Sequence, residues 1–395
     1  MNGIPPTNPP PPPPPPSAPL PPPGSGGPLF DAMTEWLRAE GDSADVVLSS
    51  RARLARNVAG HPFIGKATRR ERVMTLEACR ECVLGAGIAA KFVWCEVHHA
   101  SPLDRMLLVE RHLISKQLSK GRVGGPGAAE DPRGVAIGLP DERLSIMVNE
   151  EDHLRIQVIR SGLALATAWK QAEEIDDRIE AGIDYAYSSR FGYLTACPTN
   201  VGTGLRMSVM LHLPGLRLTG EIEKVKRAAQ DMSLAVRGFF GEGSDALGDF
   251  YQLSNQTTLG KSESVILADL ERDIIPRIVE YERFARRELV SRRRIGIEDQ
   301  VMRAWGLLTC ARLLSTEEAM QALSLIRMGV LVGIVKDRAG QPLDVRQINQ
   351  LTLLVQPAHL QRAVGKELDQ EQRKVARATL VRTRLGFGGG ASPAA

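Results

Sequence analysis

Three consecutive acidic residues, Glu150-Glu151-Asp152, lie between two apolar runs of the chain at 144–148 and 154–156. Charged side chains next to buried strands are costly unless they face an opposite charge. On an exposed loop such a run would be ordinary. Here the apolar flanks favour carboxylates that face a guanidinium group or Mg²⁺.

Arginines follow another apolar stretch, in which Val46-Val47-Leu48 leads into Ser49-Ser50-Arg51-Ala52-Arg53. Residues two apart in a strand point to the same side, so Arg51 and Arg53 are expected to project together. Two adjacent guanidinium groups can bind oxyanions such as phosphates bidentately. A solvated basic run is the ordinary alternative. Arg155, just after the acids, is a further phosphate-binding candidate.

The stretch from Tyr193 to Pro214 places a cysteine and an arginine around a glycine turn. A strand-like start reaches Cys197-Pro198, a turn ends at Gly204, and Arg206 opens a second apolar run. The glycines allow the backbone to approach a ligand closely. This order of strand, cysteine, glycine turn and arginine predicts a binding site. The alternative is a hairpin with a buried cysteine and a solvated arginine.

Length and composition exclude several classes of protein. The 395 residues are 43% hydrophobic, enough for a full core, and the net charge of +4 gives no general case for nucleic acid binding. No apolar run is long enough to span a bilayer, and no secretory signal opens the chain. We therefore expect a cytoplasmic protein with neither a nucleic acid nor a membrane partner.

The five cysteines show no disulfide-framework spacing, as expected in a reducing compartment. Cys79, Cys82, Cys95 and His98 have a spacing similar to that of zinc ligands. Cys79 and Cys82 lie in a predicted helix at 72–84, and Cys95 lies in a predicted strand at 91–97. No glycine of the kind found in zinc knuckles lies between the first two cysteines. The pattern therefore disfavours zinc at this cysteine set.

The predicted elements that position these residues alternate between helices and strands. Residues 1–28 hold 15 of the 26 prolines and predict an unfolded polyproline tail. Helices are predicted at 102–118, which contains His112, and at 222–237, which ends in Arg237. Residues 120–134 predict a mobile loop, and the chain after about Glu271 is helical, with a domain boundary near Arg294.

Four segments resemble the phosphagen (ATP:guanidino) kinases. They occur in the family's order and are Ser49 to Arg53, Asn149 to Arg155, Cys197 to Arg206 and Ser254 to Gly260. Within that family the chain most resembles the bacterial protein-arginine kinases of the McsB group. It lacks the helical domain that precedes the catalytic domain in creatine and arginine kinases, and it carries a helical domain at its C-terminal end.

The resemblance implies an α+β fold, in which a curved antiparallel sheet flanked by helices is followed by a helical domain. The corresponding divisions are a proline-rich tail at 1–28, a catalytic domain at 29–294, a helical regulatory domain at 295–386 and a short tail at 387–395.

The resemblance also implies ATP and Mg²⁺ as cofactors, the metal arriving with the nucleotide and having no protein ligands of its own. The matching ATP-binding positions are Ser49, Ser50, Arg51, Ala52, Arg53, His112, Arg155, Arg206, Met207, Ser208, Val209, Met210, Arg237, Gly238, Phe239, Phe240, Gly241 and Glu242. Glu151 matches the carboxylate that holds the guanidinium group and acts as base. Glu150 matches a carboxylate linked to Mg²⁺ through water, and Cys197 matches the reactive cysteine beside the guanidinium group.

The resemblance also implies a second binding element, in the C-terminal helical domain. Protein-arginine kinases of the McsB group carry an Arg-Asp-x-x-Arg-Ala element that binds phosphoarginine and couples it to activity. The matching residues are Arg373, Lys374, Val375, Ala376, Arg377 and Ala378, with Lys374 in place of the acid. Arg373 and Arg377 share one face of a helix and could bind one phosphate; a solvated basic helix is the alternative.

The predicted reaction is transfer of the ATP γ-phosphoryl group to arginine side chains of proteins, which in the McsB group marks them for a Clp-type protease. Partners implied are proteins with exposed arginines and Clp components, while an activator protein and a homodimer are left open. One rival is a small-molecule guanidino kinase that acts on arginine-like or creatine-like compounds. The other is a weakly catalytic adaptor that binds phosphoarginine proteins.

Overall fold

The computed structural model describes residues 33–121, 130–239, 247–336, 340–341 and 343–387. Several predicted features lie outside these residues. They are the tail at 1–28, most of the predicted loop at 120–134, the site residues Phe240, Gly241 and Glu242, and all of the C-terminal tail except Phe387.

Ten strands build the β-structure of the residues that the structure describes. They are β1 (Val47–Arg56), β2 (Lys91–Glu96), β3 (Gly134–Leu139), β4 (Leu144–Val148), β5 (Leu154–Ser161), β6 (Tyr187–Ser188), β7 (Gly192–Tyr193), β8 (Leu205–His212), β9 (Leu234–Arg237) and β10 (Phe250–Asn255). Eight of them form one antiparallel sheet in the order β2-β3-β4-β5-β1-β8-β10-β9, and β6 pairs with β7. Strand β1 therefore lies at the centre of the sheet, which explains the apolar run that precedes its arginines.

Thirteen α-helices are present in the described residues. They are α1 (Arg69–Gly85), α2 (Pro102–Glu110), α3 (Lys116–Lys120), α4 (Leu165–Glu180), α5 (Pro214–Leu218), α6 (Ile222–Asp231), α7 (Glu263–Ala268), α8 (Ile275–Arg292), α9 (Arg294–Cys310), α10 (Thr316–Leu331), α11 (Val345–Leu354), α12 (Pro357–Val364) and α13 (Gln370–Arg384). The prediction of an antiparallel sheet flanked by helices and followed by a helical region is confirmed. None of the helices in the described ranges is both long and apolar enough to cross a membrane.

The two faces of the sheet have different roles. On β1, Ala52 and Leu54 are fully buried in the main hydrophobic core, which α1, α4 and α8 also line. Their neighbours Arg51 and Arg53 point to the other face, as the period of two in a strand requires. Neighbouring strands repeat this alternation, so one face of the sheet is apolar and the other carries the arginines.

The helix predicted at 102–118 is wrong, because α2 ends at Glu110 and α3 begins only at Lys116. The break is at His112, whose φ of 59° lies in the left-handed region and cannot continue an α-helix. Ser115 then caps α3 by accepting a hydrogen bond from the backbone N–H of Leu118. The break turns the His112 ring toward the arginine face of the sheet.

The helix predicted at 222–237 is also wrong in its second half. Helix α6 ends at Asp231, and Ser233 has a φ of 59°. Residues Leu234–Arg237 then form the edge strand β9, which pairs with β10 so that Arg237 lies opposite Gln252. Edge pairing overrides local helix propensity here and places Arg237 on the sheet.

The C-terminal helices pack against the sheet through a buried arginine. Arg327 of α10 is fully buried and donates hydrogen bonds to the carbonyl oxygens of Ala44 and Asp45. The same guanidinium group lies 2.8 Å from Nδ1 of His212, at the end of β8. The helical region is thereby bonded to the entry of β1 and the exit of β8.

His153 makes the stability of the chain sensitive to acid. Its ring is fully buried, Nδ1 accepts from the N–H of Val58, Nε2–H donates to the Pro62 carbonyl, and burial lowers its pKa to about 4. The unfolded chain therefore binds a proton that the folded chain excludes as the pH falls from 6.5 toward 4. The full stabilisation is present above pH 6.5 and decreases by about 1.4 kcal/mol per pH unit below it.

The expected result is a free energy of unfolding, measured by urea denaturation across this range, that decreases less steeply in His153→Gln than in the wild type. His99→Gln is the matched control, because the His99 side chain is 71% exposed. Equal slopes in His153→Gln and the wild type would contradict the assignment.

Candidate active site

The arginine face of the sheet forms the floor of a cleft of about 670 Å³. Basic side chains from five elements meet there, and the acids and the cysteine lie at the same cleft. The lining includes Arg51, Arg53, His112, Ser115, Glu150, Glu151, Arg155, Gln157, Cys197, Arg206, Arg237 and Gln252. The structure thus brings together the separate sequence segments that predicted a site.

Arg53 is the most unusual residue of the cleft. It is 8% exposed, and its buried Nε and Nη2 atoms have no hydrogen-bond partner among the described residues. Burial and four neighbouring arginines hold the pKa of Arg53 well below its usual range. Buried guanidinium groups without partners are costly, so this position favours the binding of an anion.

Arg51 is held in place by two neighbours. Its Nε donates to Ser208 Oγ at 3.2 Å, and its Nη1 lies 3.4 Å from Gln157 Oε1. Burial and the adjacent arginines lower the pKa of Arg51 to about 9. Gln157 was not among the predicted site residues, although its place two residues after Arg155 on β5 puts both on the same face.

Gln157 also connects the arginine to His112. Its Nε2 donates to the His112 carbonyl at 2.7 Å and to Ser145 Oγ at 3.1 Å. The His112 ring packs edge-on against Trp36 and Phe239, at centroid distances of 4.9 and 5.3 Å. Burial and Arg51 lower the pKa of His112 to about 3, so its imidazole is neutral at physiological pH.

The first of the acids, Glu150, is paired inside the protein. One of its oxygens lies 2.6 Å from Arg155 Nη1 and accepts a hydrogen bond from Ser115 Oγ at 2.5 Å. Burial alone would raise the pKa of Glu150, but Arg155 and Ser115 hold it below its usual value. Glu150 therefore stays ionised and orients Arg155 toward the cleft.

The second acid has the opposite electrostatic environment. Glu151 has no ion pair among the described residues, and burial together with the charges of Asp152 and Glu150 raises its pKa. The Cys197 side chain lies near it and partly offsets this rise in pKa, and Cys197 Sγ lies 3.0 Å from Thr199 Oγ1. A carboxylate with a raised pKa that is open to a cleft has the properties of a general base.

Asp152 fixes the segment that carries the cysteine. Its Oδ1 accepts hydrogen bonds from Asn57 Nδ2 and from the backbone N–H of Ala196, both at 2.7 Å. Because Ala196 precedes Cys197, this contact places the thiol beside Glu151. Asp152 was recognised only as part of the acidic run, and this anchoring contact was not predicted.

Not every residue of the predicted ATP site has a side chain in the cleft. Ser50, Ala52, Met207 and Val209 alternate with the cleft residues and lie on the opposite, buried face. Ser49, Ser208 and Met210 line a small space beside Arg51 and His112. Gly238 and Phe239 follow Arg237, and Phe239 is fully buried. The ATP-binding role of these positions stays a prediction.

The C-terminal arginine pair does not present two open guanidinium groups. Arg377 is 2% exposed and donates to the carbonyl oxygens of Val355 and Leu314. Arg373 donates to the Leu368 carbonyl, and Lys374 pairs with Glu371. Val375 is exposed and Ala378 is buried, while Ala376 lies between them on α13. Phosphoarginine binding at these residues stays a prediction, and Arg377 already has a structural role.

The cysteines considered for zinc do not assemble with His98. Cys79 is buried on α1 and Cys95 is buried on β2. In the described part of the chain, the one cluster with metal-ligand geometry contains Glu96, His98 and His99 and no cysteine.

Glu110, the last residue of α2, joins that helix to the C-terminal helices, and a substitution there tests this contact. Its carboxylate accepts from the backbone N–H groups of Ala358 and His359 and from His359 Nδ1, at 2.7 to 3.0 Å. Glutamine would turn an N–H₂ group toward one of these donors. Glu110→Gln is expected to lower the free energy of unfolding by about 1–3 kcal/mol.

Urea denaturation of the full chain measures this effect. The matched control is Glu371→Gln, which removes an exposed acid paired with Lys374 and should change stability by less than about 0.5 kcal/mol. Equal stability of Glu110→Gln and the wild type would show that the contact does not hold the two regions together.

Known proteins are similar to this chain along most of its length. Residues 79–285 match the family described as ATP:guanido phosphotransferase, C-terminal catalytic domain, and residues 294–392 match the protein-arginine kinase McsB C-terminal domain. The protein-arginine kinase of Symbiobacterium thermophilum is 46% identical, covering 90% of this chain and 97% of its own. That of Geobacillus thermodenitrificans is 42% identical, covering 90% and 94%.

Solved structures show the same fold. Lombricine kinase is 25% identical with a TM-score of 0.51, covering 68% of this chain and 72% of its own. A duplicated taurocyamine kinase from Schistosoma mansoni is 24% identical with a TM-score of 0.52, covering 64% and 36%. Together, the sheet, the cleft and the matched sequences show that this chain belongs to the protein-arginine kinase family of the ATP:guanido phosphotransferases.

Proposed function

We propose that the chain transfers the γ-phosphoryl group of ATP to arginine side chains of proteins. One observation carries the proposal: a single cleft holds a cluster of buried arginines and, beside it, the carboxylates Glu150 and Glu151. The arginines suit a polyphosphate and the carboxylates suit a guanidinium group. Both substrates of a guanidino kinase could therefore bind in one cavity.

The arginine cluster is proposed to bind the phosphates of ATP. Arg51, Arg53, Arg155, Arg206 and Arg237 all line the cleft. Bound phosphate would supply the partners that Arg53 lacks and offset the mutual repulsion that lowers its pKa. Mg²⁺, carried in with ATP, would add neutralising charge on the phosphates, and Glu150 is the acid that the family resemblance assigns to it.

The acids are proposed to bind and activate the target arginine. A guanidinium group is a poor nucleophile because it is protonated at physiological pH. Glu151 accepts one N–H proton as that nitrogen attacks the γ-phosphorus, and the bond between the γ-phosphorus and the bridging oxygen breaks to release ADP. The resulting N–P bond makes phosphoarginine. Cys197, which lines the same cleft as Glu151, orients the guanidinium group and forms no covalent bond.

Two observations favour a protein as the acceptor over a small guanidino compound. The similar proteins at 42–46% identity are named protein-arginine kinases. A second open cavity of about 380 Å³ also contains Glu150 and Glu151, which leaves room for a chain around the target arginine. A purely adaptor role would leave the ionised Glu150 and the raised pKa of Glu151 without use.

The cellular setting belongs to the same proposal. We propose a cytoplasmic enzyme that marks proteins with phosphoarginine for a Clp-type protease. Its further proposed partners are a second copy of the chain, in a homodimer, and an activator protein. Any phosphoarginine site at 373–378 would depend on Arg373 and Lys374, because Arg377 binds backbone carbonyl groups.

A competition assay tests the acceptor. The purified protein is incubated with Mg-ATP and a mixture of casein, free arginine and creatine, and acid-labile phosphoarginine is measured by mass spectrometry and ³¹P NMR. Phosphate on casein arginines alone is the expected result. Phosphorylated free arginine or creatine would show a small-molecule kinase, and ATP binding without transfer to any acceptor would favour the adaptor.

A further inference from the structure

A cluster of three metal-binding side chains lies where β2 ends, apart from the residues that line the cleft. Glu96 is the last residue of β2, and His98 and His99 follow in the turn. One ring nitrogen of each histidine and one carboxylate oxygen of Glu96 lie within 4.8 Å of one another. The turn is closed by a hydrogen bond from the His99 N–H to the Glu96 carbonyl.

The ligand types select a class of metal. Two imidazoles and one carboxylate form the protein part of tetrahedral zinc sites that keep one position for water. Imidazole nitrogen suits zinc and its neighbours in the first transition row, whereas Mg²⁺ and Ca²⁺ prefer oxygen ligands. This cluster is therefore unsuited to the Mg²⁺ that accompanies ATP.

Two of the three ligands, Glu96 and His98, also contact groups that would not bind the metal. Oε1 of Glu96 lies 3.5 Å from Arg80 Nη1, while Oε2 faces His99 Nδ1 at 2.9 Å. Nδ1 of His98 lies 2.9 Å from the Arg133 carbonyl oxygen and 3.3 Å from the Arg133 backbone nitrogen, so this ring nitrogen faces the main chain and Nε2 is the one left for a metal. Outer partners of this kind fix the orientation of metal ligands.

The turn is further fixed, yet open to solvent. Arg105 Nη2 donates to the His98 carbonyl at 2.9 Å, and the two imidazole rings lie with their centroids 4.0 Å apart and their planes tilted by 40°. The His99 side chain is 71% exposed, so an ion can enter without opening the fold. A metal would replace the contact between His99 and Glu96.

We propose that Glu96, His98 and His99 form a binding site for one divalent transition metal ion, with zinc as the best fit. The site adjoins the second cavity, of about 380 Å³, through the main chain of Arg133, which contacts His98. Asp131, Pro132 and Arg133 line the cavity that contains Glu151. Bound metal would hold the His98 ring in contact with Arg133, the residue before β3, at the edge of that cavity.

Titration of the untagged, EDTA-treated full chain with Zn²⁺ by calorimetry tests the proposal. The wild type is expected to bind one ion. His99→Gln and His98→Gln are each expected to lower the affinity for Zn²⁺ by at least ~10–100-fold, because removal of a group that only supports a metal ligand already has an effect of that size. His61→Gln, which removes a half-buried imidazole elsewhere, is the matched control and should bind as the wild type does.

Co²⁺ absorption distinguishes this site from the thiols of the chain. Visible bands of a tetrahedral ion without a thiolate-to-metal band are expected, and they should persist in Cys197→Ser. Absence of binding, binding unchanged in both His98→Gln and His99→Gln, or a thiolate band that disappears in Cys197→Ser would each overturn the proposal. Circular dichroism of the two histidine variants establishes that they are folded.

Discussion

Glu151→Gln is expected to slow phosphoryl transfer to protein arginines by ~10²–10⁴-fold while leaving ATP affinity unchanged. The physical reason is that the amide keeps the shape of the side chain but cannot accept the guanidinium proton. Turnover is measured as phosphoarginine formed per enzyme, and ATP binding by calorimetry. Glu81→Gln, an exposed acid on α1, is the control and should behave as the wild type does.

The same variant should change the pH dependence of the reaction. Burial and the charges of Asp152 and Glu150 raise the pKa of Glu151, and only its ionised form can accept a proton. The wild-type rate should therefore increase with pH through this raised pKa, and Glu151→Gln should lose that part of the profile. Unchanged turnover, or loss of ATP binding together with turnover, would contradict the role of Glu151 as base.

Arg53→Met should separate function from stability more sharply than any other substitution in the cleft. Transfer is expected to decrease by ~10³–10⁵-fold, the effect of a single phosphate-binding arginine in such reactions. The melting temperature without nucleotide should not decrease, because buried Nε and Nη2 of Arg53 have no partner and four arginines repel it. The increase in melting temperature that Mg-ATP gives the wild type should disappear.

Arg56 on the same strand is the matched control for Arg53. It is 3% exposed and forms a buried ion pair with Asp176 at 2.6 Å. Arg56→Met leaves that carboxylate without its partner and should lower the free energy of unfolding by about 3–5 kcal/mol. If Arg53→Met destabilised the ligand-free protein as much as Arg56→Met does, the anion-binding role of Arg53 would be wrong.

Much of the cleft was predictable because its residues lie at strand spacing. Arg51 and Arg53 on β1 point to one face, and the same period on β5 places Arg155 and Gln157 together. A single strand pattern therefore indicates which arginines share a face. It does not show which strands are neighbours. That Arg206 on β8 lies opposite Arg53 on β1 could therefore not be predicted from the pattern of either strand.

The errors arose where tertiary contacts override local pattern. Residues 102–118 read as one helix, yet His112 adopts a left-handed conformation and packs its ring against Trp36 and Phe239. Residues 222–237 also read as one helix, yet the last four pair with β10. Both contacts join residues far apart in the chain, which no local periodicity can reveal.

The C-terminal motif shows a different limit of prediction from sequence. Helical spacing correctly puts Arg373 and Arg377 on one side of α13. It cannot show that this side faces the protein, where Arg377 donates to two backbone carbonyl groups. A shared helix face therefore predicted proximity but not access to a ligand.

A crystal structure with MgADP, nitrate and an arginine-containing peptide would show directly whether the cleft binds both substrates of the transfer. Nitrate takes the place of the planar phosphoryl group in transfer. We expect the ADP phosphates to contact Arg53 and Arg206, and the peptide guanidinium group to be bonded to Glu151 beside Cys197. Nucleotide bound outside the arginine cleft, or a guanidinium group that does not contact Glu151, would contradict this expectation.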